Sequence, residues 1–73
     1  MRYQILDQTG HTEELHDTKV EDGIARAERR FKELTGQGFR AAKITDDGSP
    51  GTMLKQFDPT AESVVFIPRL VGG

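Results

Sequence analysis

The residues of this sequence with the most distinctive chemistry are its last five, Arg69, Leu70, Val71, Gly72 and Gly73. A carboxylate on Gly73 is a poor electrophile, being ionised above pH ~4, resonance-stabilised and without a leaving group. Activated, it becomes an acyl donor. Gly72 and Gly73 lack Cβ atoms, so this backbone can enter a narrow channel and take angles closed to other residues. Arg69 is an electrostatic handle, and Leu70 and Val71 offer apolar contacts to channel walls. An ordinary exposed tail fits the same residues, so their meaning depends on the domain that carries them. Elsewhere reactive types are sparse. There is no cysteine, hence no disulfide framework, thiolate metal site or thiol nucleophile. His11 and His16 fall on opposite faces of an extended segment and do not make a metal pair. Asp46-Asp47-Gly48 lacks the alternating ligands and closing Glu of a calcium loop. No nucleophile–base set marks an enzyme, and no metal or cofactor is expected.

The elements that must position such a tail fit into one small domain. At 73 residues the chain has room for one modest core, and a domain this size buries only ~60% of its unfolded surface. Ten basic and twelve acidic residues give a net charge of −2, which argues against nucleic acid as the main partner. No apolar run approaches the ~18 residues of a membrane span, and the N-terminus lacks a signal-peptide pattern. The expected location is cytoplasmic, with no membrane partner.

Met1, Tyr3 and Ile5 alternate with Arg2 and Gln4, so residues 1–6 read as a strand with one buried face. Asp7-Gln8-Thr9-Gly10 is a hairpin loop in which Gly10 can supply positive φ for a bulge. Residues 11–16 return as a weak strand whose only large apolar residue is Leu15. Thr18 and Glu21 form a capping box. Val20, Ile24, Ala27, Phe31 and Leu34 then recur at helical spacing, one stripe that should supply half the core. Gly23 costs helix propensity unless something packs closely against it. Gly36 is the expected left-handed cap. Residues 39–44 read as a third strand, residues 46–51 as a surface loop and residues 53–57 as a short edge strand guarded by Lys55. Asp58-Pro59 starts one helical turn. Residues 63–67 close the sheet, and Pro68 ends that strand because it cannot donate to a ladder. A strand apolar on both faces belongs in the centre, parallel to the first.

The fold class is therefore α+β, a mixed four- to five-stranded sheet with one helix across it. With Thr9-Gly10 at the first turn, one helix ending at Gly36 and Gly72-Gly73 at the end, the chain resembles the ubiquitin-like β-grasp superfamily. The Phe66-Ile67-Pro68 stretch before Gly72-Gly73 also resembles the small sulfur-carrier subunit of molybdopterin synthase. The resemblance implies a β-grasp domain over residues 1–68 and a flexible tail over residues 69–73. It implies that an ATP-dependent adenylating enzyme activates Gly73, with Gly72 beside it and Arg69, Leu70 and Val71 read by that enzyme. Attack by an enzyme thiol and then a lysine amine would make the chain a protein modifier, with conjugating enzyme, deconjugating protease and target proteins as further partners. Attack by persulfide sulfur would make it a sulfur donor for molybdopterin, thiamin or RNA thiolation. A third alternative is a non-catalytic interaction domain. Glu13 and Asp17 stand where ubiquitin's second strand is apolar, and Gln8 is polar where its loop joins a recognition patch. Ile44, Leu70 and Val71 remain candidates for a partner surface.

Overall fold

A computed structural model describes residues 1–45, 47 and 50–68. The elements run β1 (Arg2–Asp7), β2 (Gly10–Leu15), α1 (Glu21–Gly36), β3 (Arg40–Ile44), β4 (Pro50–Leu54) and β5 (Ser63–Ile67). They form one five-stranded sheet in the order β2-β1-β5-β3-β4. β5 runs parallel to β1 and antiparallel to β3, so the most apolar strand is central, as its composition requires. The helix lies across one face, a β-grasp arrangement.

Alternation decides which side chains meet the helix. Tyr3 and Ile5 of β1, Val64 and Phe66 of β5 and Ala41 of β3 point towards it. Ala27, Phe31 and Leu34 of α1 close over them to make the core. Three edge-to-face contacts order its aromatic rings: Tyr3–Phe66 at 4.9 Å, Phe31–Phe66 at 5.7 Å and Phe31–Phe57 at 6.1 Å. Val65 and Ala42 are also buried, but on the opposite, outer face of the sheet, where Gln4, Ile44 and Ile67 flank them.

Several local expectations are corrected. The first hairpin has no register shift: Asp7 pairs Gly10 around a Gln8-Thr9 turn, with Gly10 at φ 131°. The Asp7 carboxylate accepts the Thr9 amide and hydroxyl, which hold its pKa below the usual carboxylate range. The Thr18–Glu21 capping box is not made. Asp17 accepts the Lys19 amide instead, the chain turns, and Val20 becomes an N-cap without a side-chain hydrogen bond. The helix stripe divides as well, since Val20 is 50% and Ile24 37% exposed, whereas Phe31 is 3% exposed.

At the other helix end, Gly36 is the last helical residue and Gly38 carries the positive φ of 103°. The Gly38 amide donates to the Thr35 carbonyl and the Phe39 amide to the Leu34 carbonyl, the Schellman pattern. Its αL glycine falls two residues later because Gln37 still holds right-handed angles. β4 occupies Pro50–Leu54, with Lys55 just beyond it rather than inside, and Pro50 and Gly51 belong to the strand. Pairing of Ile44 with Pro50 pulls the strand earlier, and a Cβ on Gly51 would lie 2.5 Å from the Thr45 methyl. Residues 58–62 make no helical turn. Asp58 accepts the Thr60 amide and hydroxyl, and its carbonyl accepts the Ala61 amide, giving a single tight turn into β5.

Candidate functional site

The site proposed from sequence begins where β5 ends. β5 is bonded on both sides, to β1 as far as Phe66 and to β3 as far as Ile67, so its C-terminal end is firmly held. Pro68 follows, exposed and unable to extend either ladder. Arg69, Leu70, Val71, Gly72 and Gly73 lie outside the described residues. Around the exit, Arg40 and Ile67 are register partners, and with Met53 and Pro68 they line a shallow depression of about 310 Å³ on the outer face.

Ile44 also lies on this outer face, half-buried, but at the other end of β3. β3 runs antiparallel to β5, so Ile44 sits near Ser63 while Arg40 sits beside Ile67. Four residues of strand separate Ile44 from the exit, about 13 Å. Ile44 and the tail's exit are therefore not adjacent. Ile67 and Met53 supply apolar lining to the depression at the exit, and Met53 is half-exposed.

No family model matches the chain, and no curated protein or solved structure is significantly similar to it. Its chemistry must be read from its own residues.

Charge is organised on the opposite flank, where α1 crosses β2. The inward positions of β2 are polar: Thr12 pairs Ile5, Glu14 pairs Tyr3, and His16 follows. Arg30 reaches down from the helix, its Nε 3.1 and 3.0 Å from the two Glu14 oxygens and its Nη2 2.9 Å from Oε2. His16 Nε2 lies 3.3 Å from the same carboxylate, and its ring tilts against Tyr3 at 4.9 Å. Partial burial alone would raise the Glu14 pKa. The hydrogen bond and charge of Arg30, aided by His16, outweigh it and leave the carboxyl below its usual range. The Tyr3 hydroxyl donates to the Ala27 carbonyl at 2.7 Å, and burial, with the Glu14 charge adding to it, pushes its pKa above the usual phenol range.

Spacing reveals part of this flank. Glu14 and His16 share a parity, and the structure shows that this parity faces the helix while His11 faces outward. Among the described residues no group of three or more His, Cys, Asp or Glu could hold a metal ion, and no helix is long and apolar enough to cross a membrane. Asp46 and Gly48 of the acidic loop lie outside the described residues. What sequence reasoning missed is a cleft of about 590 Å³ between the end of β2 and the start of α1, where Leu15 and Val20 are exposed. No signal in the sequence marks it, because Val20 continues the apolar period of the buried stripe.

Proposed function

We propose that this chain is a ubiquitin-like protein modifier acting in the cytoplasm through the carboxylate of Gly73. The carboxylate attacks the α-phosphate of ATP on an activating enzyme, pyrophosphate leaves, and an acyl-adenylate forms. An enzyme thiol then displaces AMP, and a lysine amine of a target protein displaces the thiol to leave an isopeptide bond. Arg69 anchors the tail to the activating enzyme while Leu70 and Val71 line its channel, and Gly72 and Gly73 thread the narrowest part. The observation that carries this reading is the topology: the central β5, bonded on both sides, is the strand from which residues 69–73 continue. A rigid domain that presents a slim reactive segment suits an acyl carrier. The same reading makes the chain a substrate of enzymes rather than an enzyme.

The Phe66-Ile67-Pro68 stretch favours a second reading, in which an enzyme persulfide displaces AMP to form an acyl disulfide on Gly73, and a second thiol cleaves its S–S bond, leaving a thiocarboxylate for sulfur transfer and a disulfide on the thiol partners. One experiment separates the two. Intact mass of the protein from cells first establishes whether Gly73 bears the free carboxylate. In cell extract with ATP, the modifier reading expects higher-mass species that survive reducing agent, with the Gly72-Gly73 remnant on target lysines. Deletion of Gly73 should abolish them. A monomer whose terminal oxygen is replaced by sulfur would give the second reading instead. If neither product forms, the chain is an interaction domain.

A further inference from the structure

The chain carries two sulfur atoms, the thioethers of Met1 and Met53, and no cysteine. Their surroundings differ. Met1 is partly buried and packs against the core. Met53 is 50% exposed on β4, where it pairs Ala42 of β3 on the outer face of the sheet. Of the two, Met53 is the sulfur open to an oxidant in solution.

Its position gives that exposure a consequence. Met53 shares the depression of about 310 Å³ with Arg40, Ile67 and Pro68, where β5 ends and residues 69–73 follow. Arg40 brings five N–H donors to this depression, and among the described residues its guanidinium has no ion-pair partner. A thioether is a weak acceptor and offers that guanidinium little. A sulfoxide in the same place is polar and accepts hydrogen bonds.

We propose that Met53 is a redox-sensitive modification site that regulates the surface at the tail's exit. Hydrogen peroxide oxidises the thioether by two electrons: its O–O bond breaks, one oxygen forms the S=O bond, and the other leaves as water. The sulfoxide oxygen accepts a hydrogen bond from Arg40, and the apolar wall beside Ile67 and Pro68 becomes polar. The regulatory part rests on the reading that an activating enzyme takes Gly73. A channel that draws in residues 69–73 has its mouth at Pro68, so the enzyme's surface meets this depression. Oxidation removes apolar contact there and occupies Arg40, which slows activation. A methionine sulfoxide reductase reverses the step, a pair of thiols giving two electrons and becoming a disulfide while the oxygen leaves as water. The fold is spared, because Met53 lies outside the buried core.

The test treats the full ¹⁵N-labelled chain with hydrogen peroxide, removes the oxidant with catalase, and maps the added oxygen by mass spectrometry of peptides. Met53 should oxidise about tenfold faster than Met1. The Arg40 Nε–H resonance should shift on oxidation, while the melting temperature stays near that of the untreated protein. Met53→Leu conserves volume, so it should melt near the parent and leave Arg40 unmoved by peroxide. In cell extract with ATP, oxidised parent should form conjugates about fivefold more slowly, roughly 1 kcal/mol of lost contact. Reductase should restore the rate, and the leucine variant should lose nothing on the same treatment. Should that variant fail to fold, reductase treatment of the oxidised parent supplies the control. The proposal is overturned if Met1 oxidises as fast as Met53, if the Arg40 resonance stays in place, or if oxidised and reduced parent conjugate equally. If untreated parent forms no conjugates, the modifier reading fails and the regulatory part falls with it, whereas the mapping and the Arg40 shift decide the modification site by themselves.

Discussion

Two sides of α1 meet different partners: the stripe of Ala27, Phe31 and Leu34, and the flank that crosses β2. Phe31 and Leu34 close on Phe66, Val64 and Ala41, and the contact is carbon against carbon with rings edge to face. Ahead of them the helix crosses β2, where the sheet offers Thr12, Glu14 and His16. There the contact is an Arg30–Glu14 ion pair, the Tyr3 hydroxyl on the Ala27 carbonyl, and a close approach of backbone to backbone at Gly23. A Cβ at Gly23 would lie 1.6 Å from the Asp17 carbonyl oxygen, so the loop can pass only because the residue is glycine. Apolar burial, about 25 cal/mol per Å², involves no titration by pH and no screening of charge by salt. The charged flank depends on both. The buried stripe holds the fold, and beside β2 the start of the helix leaves Val20 and Ile24 exposed.

The largest effect should come from the carbon side. Phe31→Ala removes a ring packed between Phe57 and Phe66 and is expected to cost about 3–5 kcal/mol, a large share of the stability of so small a domain. Thermal or urea unfolding measures it, and a melting temperature within a few degrees of the parent would erase the distinction between the two sides.

A smaller and pH-dependent loss is expected on the charged side. Glu14→Gln should cost about 1–2 kcal/mol near neutrality, less than a fully buried charged hydrogen bond, because Arg30 and Glu14 remain 30% and 26% exposed. The folded carboxyl titrates below its unfolded value, so its contribution is complete above the unfolded pKa and disappears as pH falls through the folded one. The parent and variant stability curves should therefore converge on acidification below about pH 4. Asp7 and Asp58 give acid-side slopes of their own, common to both proteins, so the difference between the curves isolates Glu14. Parallel curves would show that the ion pair contributes nothing to folding.

The smallest effect should be at Leu15. Leu15→Ser changes an 81% exposed side chain and should alter stability by less than about 0.5 kcal/mol. A loss of 2 kcal/mol or more in the unfolding curve would place Leu15 in the core and remove it from the open cleft.

The sequence by itself determined the order and type of most elements. Alternation in Met1, Tyr3 and Ile5, the periodic run through Ala27, Phe31 and Leu34, and the doubly apolar β5 each follow from side-chain direction along one segment, so they are legible without a fold. The central place of β5 parallel to β1 was legible for the same reason, since only a strand covered on both faces is apolar on both. Boundaries were settled by competition between neighbours. Asp17 reached the Lys19 amide and displaced the Thr18 cap, Gly38 took the left-handed turn expected of Gly36, and pairing with Ile44 drew β4 back to Pro50.

Tertiary structure alone decided what the helix stripe and β2 face. Val20 and Ile24 continue the apolar period of Phe31, and nothing local distinguishes them. Their exposure follows from the length and polarity of β2, whose inward parity brings Glu14 under Arg30 and turns Leu15 to the outer face. In the same way, the sheet leaves β2 at its edge. Whether a strand lies at an edge is a property of the assembled sheet, set by which strands pair across tens of residues, and no window of sequence around β2 contains it.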